Sequence, residues 1–170
     1  MIIVNTGNGK GKTTAAMGQI IRSLGRGWKV CLIQLFKGKE FYGEQKILKG
    51  LKGLDFYCYA SKHPGCFPGV SKTSLVSDCG KALKQFEKAL ASKKYGLIVL
   101  EEFNIAVRDG LLKIEPLLEL LKNKNSNINV LITGRSAHKK LLKIADCVTE
   151  MKEVKHHFHK GILAKKGLEF

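Results

Sequence analysis

The sequence predicts an open α/β fold: a mostly parallel sheet with helices on both faces. Short, near-continuous Val/Ile/Leu runs alternate along the chain with longer amphipathic stretches. The apolar runs lack the in–out alternation of a half-exposed strand, which suits strands buried on both faces. Regular exchange of strand and helix implies right-handed crossovers between parallel neighbours.

The expected strands are "IIVN" at 2–5, "KVCLIQLF" at 29–36, "LDFYCYA" at 54–60, "GLIVLEE" at 96–102, "NVLITG" at 129–134 and "CVTEM" at 147–151. Helices are expected at 12–25, 44–52, 75–93, 114–123 and 137–145. The third sets Leu83, Phe86 and Leu90 on one stripe, and the fourth carries Pro116 in its first turn, where a missing N–H does no harm. Residues 60–74, "ASKHPGCFPGVSKTS", are the longest irregular stretch and hold two of the three prolines. Long loops inside compact domains are usually functional. No repeat or low-complexity linker divides the chain, so residues 1–170 read as a single domain.

Composition narrows the function classes. An apolar fraction of 44% and a charged fraction of 26% are those of an ordinary globular protein. No apolar run reaches the ~18 residues that would span a bilayer. The start "MIIV" runs directly into a glycine-lysine loop, so no signal peptide is expected and the cytoplasm is the expected location. The five cysteines form no CxxC pair and read as reduced thiols. The net charge of +16 favours anionic partners, but arginine occurs only at positions 22, 26, 108 and 135. Lysine spread along helices suits a solvated surface, so charge alone does not name the partner.

The chemistry begins at "TGNGKGKTT", residues 6–14, between an expected strand and an expected helix. That context is the one a phosphate-binding loop requires, and with it the sheet becomes a P-loop (RecA-like) fold. Thr6, Gly7, Asn8, Gly9, Lys10, Gly11, Lys12, Thr13 and Thr14 form the candidate nucleotide-binding segment. The three glycines allow left-handed backbone angles that turn N–H groups inward, and the following helix adds a partial positive charge. Lys12 is expected to reach terminal phosphates, and the Thr13 hydroxyl to ligate magnesium. The pattern departs from GxxxxGK[ST] in having Thr6 at its first position. A magnesium site needs an acidic partner from another strand end, and Glu101 and Glu102 supply two candidates. Arg135, just past the strand "NVLITG", sits where ligands of open α/β sheets bind; touching phosphate, capping a helix and lying exposed all stay open for it.

Beyond these parts, the sequence resembles the P-loop ATP:corrinoid adenosyltransferases. "TGNGKGKTTAA", "LIQLFKGKEFYGE", "LIVLEEFNIAVRDGLL", "VLITGR" with "ADCVTEMKEVKH", and the closing "KGLEF" carry the resemblance in order over almost the whole chain. It implies that cobalt(I) of a reduced corrinoid, cobalamin or a precursor, attacks the ribose 5′-carbon of ATP and inorganic triphosphate leaves. The phosphate loop then holds the leaving group, with Lys12, Thr13 and Glu102 as catalytic candidates. Glu101 stands where aspartate is usual, so the magnesium assignment leans to Glu102. The resemblance also implies a homodimer and an electron-donor protein such as a flavodoxin. Some members press a Phe-x-Trp pair on the corrinoid's lower face; here Phe67 in "CFPG" is the candidate, no tryptophan follows, and ordinary loop packing is the alternative. Trp28 reads as packing. His157 and Lys165 stand where proline and glutamine are common, and "KHHFHK" reads as a basic tail more readily than as a metal site. Two other functions fit the loop: a non-catalytic ATP or corrinoid carrier, and a P-loop ATPase on nucleic acid, the latter disfavoured by scarce, scattered arginines.

Overall fold

The structure, a computed structural model, describes residues 1–38, 42–60 and 69–169. Six strands form one sheet: β1 (Ile2–Thr6), β2 (Val30–Leu35), β3 (Leu54–Tyr59), β4 (Leu97–Glu101), β5 (Asn129–Thr133) and β6 (Cys147–Glu150). Their order is β3-β2-β4-β5-β1-β6, and every pairing is parallel. The helices between them are α1 (Lys12–Gly25), α2 (Gly43–Leu48), α3 (Lys72–Ser92), α4 (Phe103–Arg108), α5 (Ile114–Lys122) and α6 (Lys139–Ile144). The expected α/β class and all six strands are present.

Alternate residues of each central strand feed two cores, as a period of two demands. Cys31, Ile33, Leu35, Ile98, Leu100, Val130 and Ile132 point to one face, where α3 to α6 contribute Phe86, Phe103, Leu117 and Leu141. Val30, Leu32, Leu97, Val99 and Leu131 point to the other, covered by Ala16 and Ile20 of α1 and Leu48 of α2. Burial on both faces explains why these strands read as continuous apolar runs. β6 departs from that expectation: it pairs only with β1 at the sheet edge, and all its residues are exposed.

Three further differences concern helices. α2 ends at Leu48, four residues before the expected end at 52. α3 begins at Lys72, three residues before the expected start at 75. α4 has no counterpart among the expected helices, because Glu102 in a left-handed conformation (φ 65°) turns the chain from strand to helix without a loop, and six residues show no helical period. The Phe67 expectation lies outside the described residues. Among those described, no helix is long and apolar enough to cross a membrane.

The end of the sheet opposite the phosphate loop is closed by Trp28, which packs on Gly96. A Cβ on Gly96 would lie 2.9 Å from the indole ring. Gly96→Ala is expected to cost ~1–3 kcal/mol by overpacking. The same change in a Trp28→Ala background is expected to cost less than ~1 kcal/mol, because the ring that clashes is gone. Urea denaturation of the four proteins measures the coupling; equal costs in both backgrounds would show that this contact does not set the spacing.

Candidate active site

The carboxyl ends of β1, β2, β4 and β5 open on one edge of the sheet, and the backbone there turns sharply. Left-handed residues follow these strands: Gly7, Phe36, Glu102 and Gly134, with φ of 95°, 59°, 65° and 128°. Two of the four are not glycine, a conformation that costs energy and clusters at functional sites. The turns throw Lys37 and Glu102 into the space above the phosphate loop.

The three loop glycines serve different ends. Gly7 and Gly11 take the positive φ values, 95° and 113°, that the sequence led one to expect. Gly9 does not. It is required instead by close packing, since a Cβ there would lie 2.6 Å from the Lys152 carbonyl oxygen. Its N–H donates to the Met151 carbonyl at 2.7 Å, tying the loop to the segment after β6. Thr6 is likewise structural, its hydroxyl accepting the Ala137 N–H at 3.1 Å.

Lys12, the first residue of α1, is buried and donates to the carbonyls of Gly7 and Gly9 at 2.7 and 2.6 Å. Burial, and next the nearby Arg135, lower its pKa. An anion above the loop would offset both effects. The Thr13 hydroxyl donates to Glu101 Oε1 at 2.5 Å. Glu101 is fully buried and also accepts from Gln34 Nε2 at 2.7 Å, and Lys37 Nζ stands 3.3 Å from it.

Glu102 has the opposite surroundings. Its Oε2 is a buried side-chain oxygen without a hydrogen-bond partner, close to where a Cβ on Gly134 would lie. Burial, then the charge of Glu101, push its carboxyl up to about 7, against the pull of Lys37, Lys12 and Arg135. An unpartnered buried oxygen beside a bonded Thr13–Glu101 pair is the donor set a hard cation takes, so these residues fit magnesium.

A cavity of about 710 Å³ lies over the loop and is lined by Asn8, Gly9, Lys10, Gly11, Lys12, Thr13, Thr14, Glu102 and Arg135. Met17, Lys37, Gly43, Glu44, His156 and the tail residues Gly167 to Glu169 complete it. It adjoins a second cavity of about 580 Å³ that shares Asn8 and Arg135 and adds Glu150, Lys152 and Glu153. Arg135 is exposed between the two. It does not cap α6, whose N-cap is His138, with Nδ1 accepting the Lys140 N–H.

Most sequence candidates thus meet at one place, while Thr6 and Gly7 support the loop from behind. Glu101 faces Thr13, and Glu102 faces the cavity. Sequence reasoning read "KHHFHK" as a basic tail over a phosphate or corrinoid edge but assigned no role to Lys37, Glu44 or the closing residues 167–169. Lys10 donates to the Leu168 carbonyl and pairs with Glu169 at 3.0 Å, so the tail reaches the loop. The signals for both are the segments "FKGKEFYGE" and "KGLEF", which belong to the family resemblance. His156 caps a 3₁₀ helix at His157–Lys160, and His159 contacts Glu153 at 2.6 Å.

Comparison with known proteins gives the family. The sequence model of the family described as "ATP:corrinoid adenosyltransferase BtuR/CobO/CobP" matches residues 1–170. A protein of Pseudomonas aeruginosa named "Corrinoid adenosyltransferase" is 34% identical over 170 residues, covering 100% of this chain and 83% of that protein. A protein of Escherichia coli K12 with the same name is 34% identical, with 100% and 85% covered. "Corrinoid adenosyltransferase CobA" of Salmonella typhimurium is 33% identical over the same shares. With a family match over its full length and relatives of that name covered to more than four fifths, the chain belongs to the ATP:corrinoid adenosyltransferases and is an enzyme of that alkyl-transferring class.

Proposed function

We propose that the enzyme transfers the 5′-deoxyadenosyl group of ATP to cobalt(I) of a reduced corrinoid and releases inorganic triphosphate. The observation that carries this reading is the cavity over the phosphate loop, where Lys12, Thr13, Glu102 and Arg135 converge. The cobalt electron pair forms the bond to C5′ as the C5′–O bond breaks, and that bond's electrons leave with the triphosphate. No side chain has to act as nucleophile. The protein has to align the two substrates and to stabilise the charge that grows on the leaving group.

Lys12 exchanges the Gly7 and Gly9 carbonyls for phosphate oxygens, and Arg135 meets the same anion from the cavity rim. Thr13 and Glu102, with Glu101 behind them, would hold magnesium, which draws charge from the triphosphate when bound. Phe67 belongs to this proposal as a corrinoid contact, with cytoplasmic location, a homodimer and an electron-donor protein such as a flavodoxin as its remaining parts. Membership of an enzyme family goes against the carrier and nucleic-acid ATPase alternatives.

Product analysis tests the reaction: triphosphate is expected to appear in step with a light-sensitive cobalt–carbon product. Corrinoid-independent release of ADP and orthophosphate would refute it.

Lys12→Ala is expected to lower kcat about a hundredfold, the ~3 kcal/mol typical of a lost leaving-group contact, with the fold intact. Near-parental turnover would place Lys12 away from the leaving group.

The two glutamates are expected to fail differently. Glu101→Gln weakens a fully buried network, so both stability and activity fall. Glu102→Gln lowers activity but raises stability near neutral pH. The folded protein keeps this proton to about 7, against an ordinary value of 4.5. Between those values the folded state binds more protons than the unfolded one, so the carboxyl's contribution to stability declines as pH rises. The gap in melting temperature between Glu102→Gln and parent should therefore widen from pH 4.5 to about 7 and then level off. A pH-independent gap would contradict this environment.

A further inference from the structure

The segment "FKGKEFYGE" has no part in the scheme above, yet its Lys37 stands among the candidate magnesium ligands. Its Nζ lies 3.0 Å from Glu44 Oε1, 3.3 Å from Glu101 Oε1 and 3.5 Å from the Thr13 hydroxyl. It also lies 4.6 Å from the centre of the Tyr42 ring. The residue before it, Phe36, is held at φ 59°, and Lys37 itself is buried. Burial works against its charge, yet Glu101 and Glu44 outweigh burial and lift its pKa, so it stays an ammonium.

One lysine thus faces two glutamates. The acidic partners are unequal. Glu101 is buried behind Thr13 and accepts a second, neutral donor from Gln34, itself fixed by Gln45 Nε2 at 2.8 Å. Glu44 borders the cavity. A lysine on a long stem between a fixed buried carboxylate and one at the cavity wall has two stable partners.

We infer that Lys37 is a positioning residue that neutralises the Thr13–Glu101 pair and yields it to magnesium by shifting onto Glu44. This rests on the reading above that Thr13 and the adjoining glutamates hold the metal. Lys37 and Glu44 then work in tandem. Glu101 never stands buried and uncompensated, and its orientation toward Thr13 is kept before the metal arrives. A mere structural ion pair would stabilise the protein equally with and without metal. A phosphate-contacting lysine would affect ATP affinity with little effect on stability in chelator. An exchange device makes Lys37 and Glu44 act in opposite directions on magnesium.

The test uses the full chain without corrinoid, so nothing turns over. Binding of ATP is followed by equilibrium dialysis as magnesium is varied, and melting temperature is followed in chelator and in magnesium with ATP. Lys37→Met is expected to lower the magnesium midpoint about tenfold, because the competing cation is gone. It should also melt earlier in chelator and gain more from magnesium with ATP than the parent does. Glu44→Gln, which removes the alternative partner at the cavity wall and leaves the buried carboxylate intact, is expected to raise the midpoint several-fold. Lys37→Arg should restore the melting temperature in chelator. Should Lys37→Met not fold, the upward shift in Glu44→Gln alone decides the matter. A parent whose ATP binding ignores magnesium would refute the metal reading and this inference with it. A magnesium-dependent parent with an unchanged or lowered midpoint in Glu44→Gln would overturn the inference alone.

Discussion

The buried carboxylate of Glu101 is the constraint on which the site depends. A charge removed from water costs several kcal/mol unless it is paired and hydrogen-bonded. Glu101 meets that demand with groups from three elements: Thr13 from α1, Gln34 from β2, and Lys37 from the turn after β2. Gln45 of α2 then fixes Gln34. The need to satisfy one carboxylate therefore sets the distance between the phosphate loop, the strand end and α2. The arrangement is specific because each partner is itself committed: Gln34 is fully buried, and Thr13 lies in the first turn of the helix that follows the loop.

Around that carboxylate the site is assembled from strained turns. Phe36 and Glu102 adopt left-handed conformations without being glycine, and each reverses the chain at a strand's carboxyl end. Packing holds the strain: Phe36 is buried, and the Glu102 N–H donates to the Thr133 hydroxyl at 3.0 Å. The result is a pair of adjacent glutamates with opposite surroundings. One is fully bonded and faces the loop threonine; the other keeps an unpartnered oxygen beside the cavity. Two carboxylates one residue apart acquire different chemistry because the backbone turn between them sends their side chains to different places.

The phosphate loop is supported from behind as well as exposed in front. Gly9 is closed against the chain after β6, and Lys10 holds the tail residues Leu168 and Glu169. The edge strand and the C-terminal segment are thus part of the loop's scaffold. This accounts for a glycine that needs no positive φ and for a lysine in the loop that is not directed at the centre of the cavity.

The sequence alone determined the parallel α/β architecture, because two-sided burial leaves continuous apolar runs at regular intervals. It also located the tight glycine turn between β1 and α1, because glycine spacing between strand and helix has few other uses. The family resemblance supplied the chemistry, and the full-length family match bears out the class of enzyme. The tertiary structure decided how the pieces meet. α4 is hidden in the sequence because six residues show no period, and the exposure of β6 is hidden because an apolar composition does not report a position at the sheet edge. The unequal roles of Glu101 and Glu102 follow from a single left-handed turn, for which glutamate gives no sequence signal. Lys37 and Glu44 are visible as letters, but the approach of Lys37 to Thr13 joins positions 24 residues apart along separate elements. Contacts of that kind depend on the three-dimensional arrangement of strand ends, which local pattern does not encode.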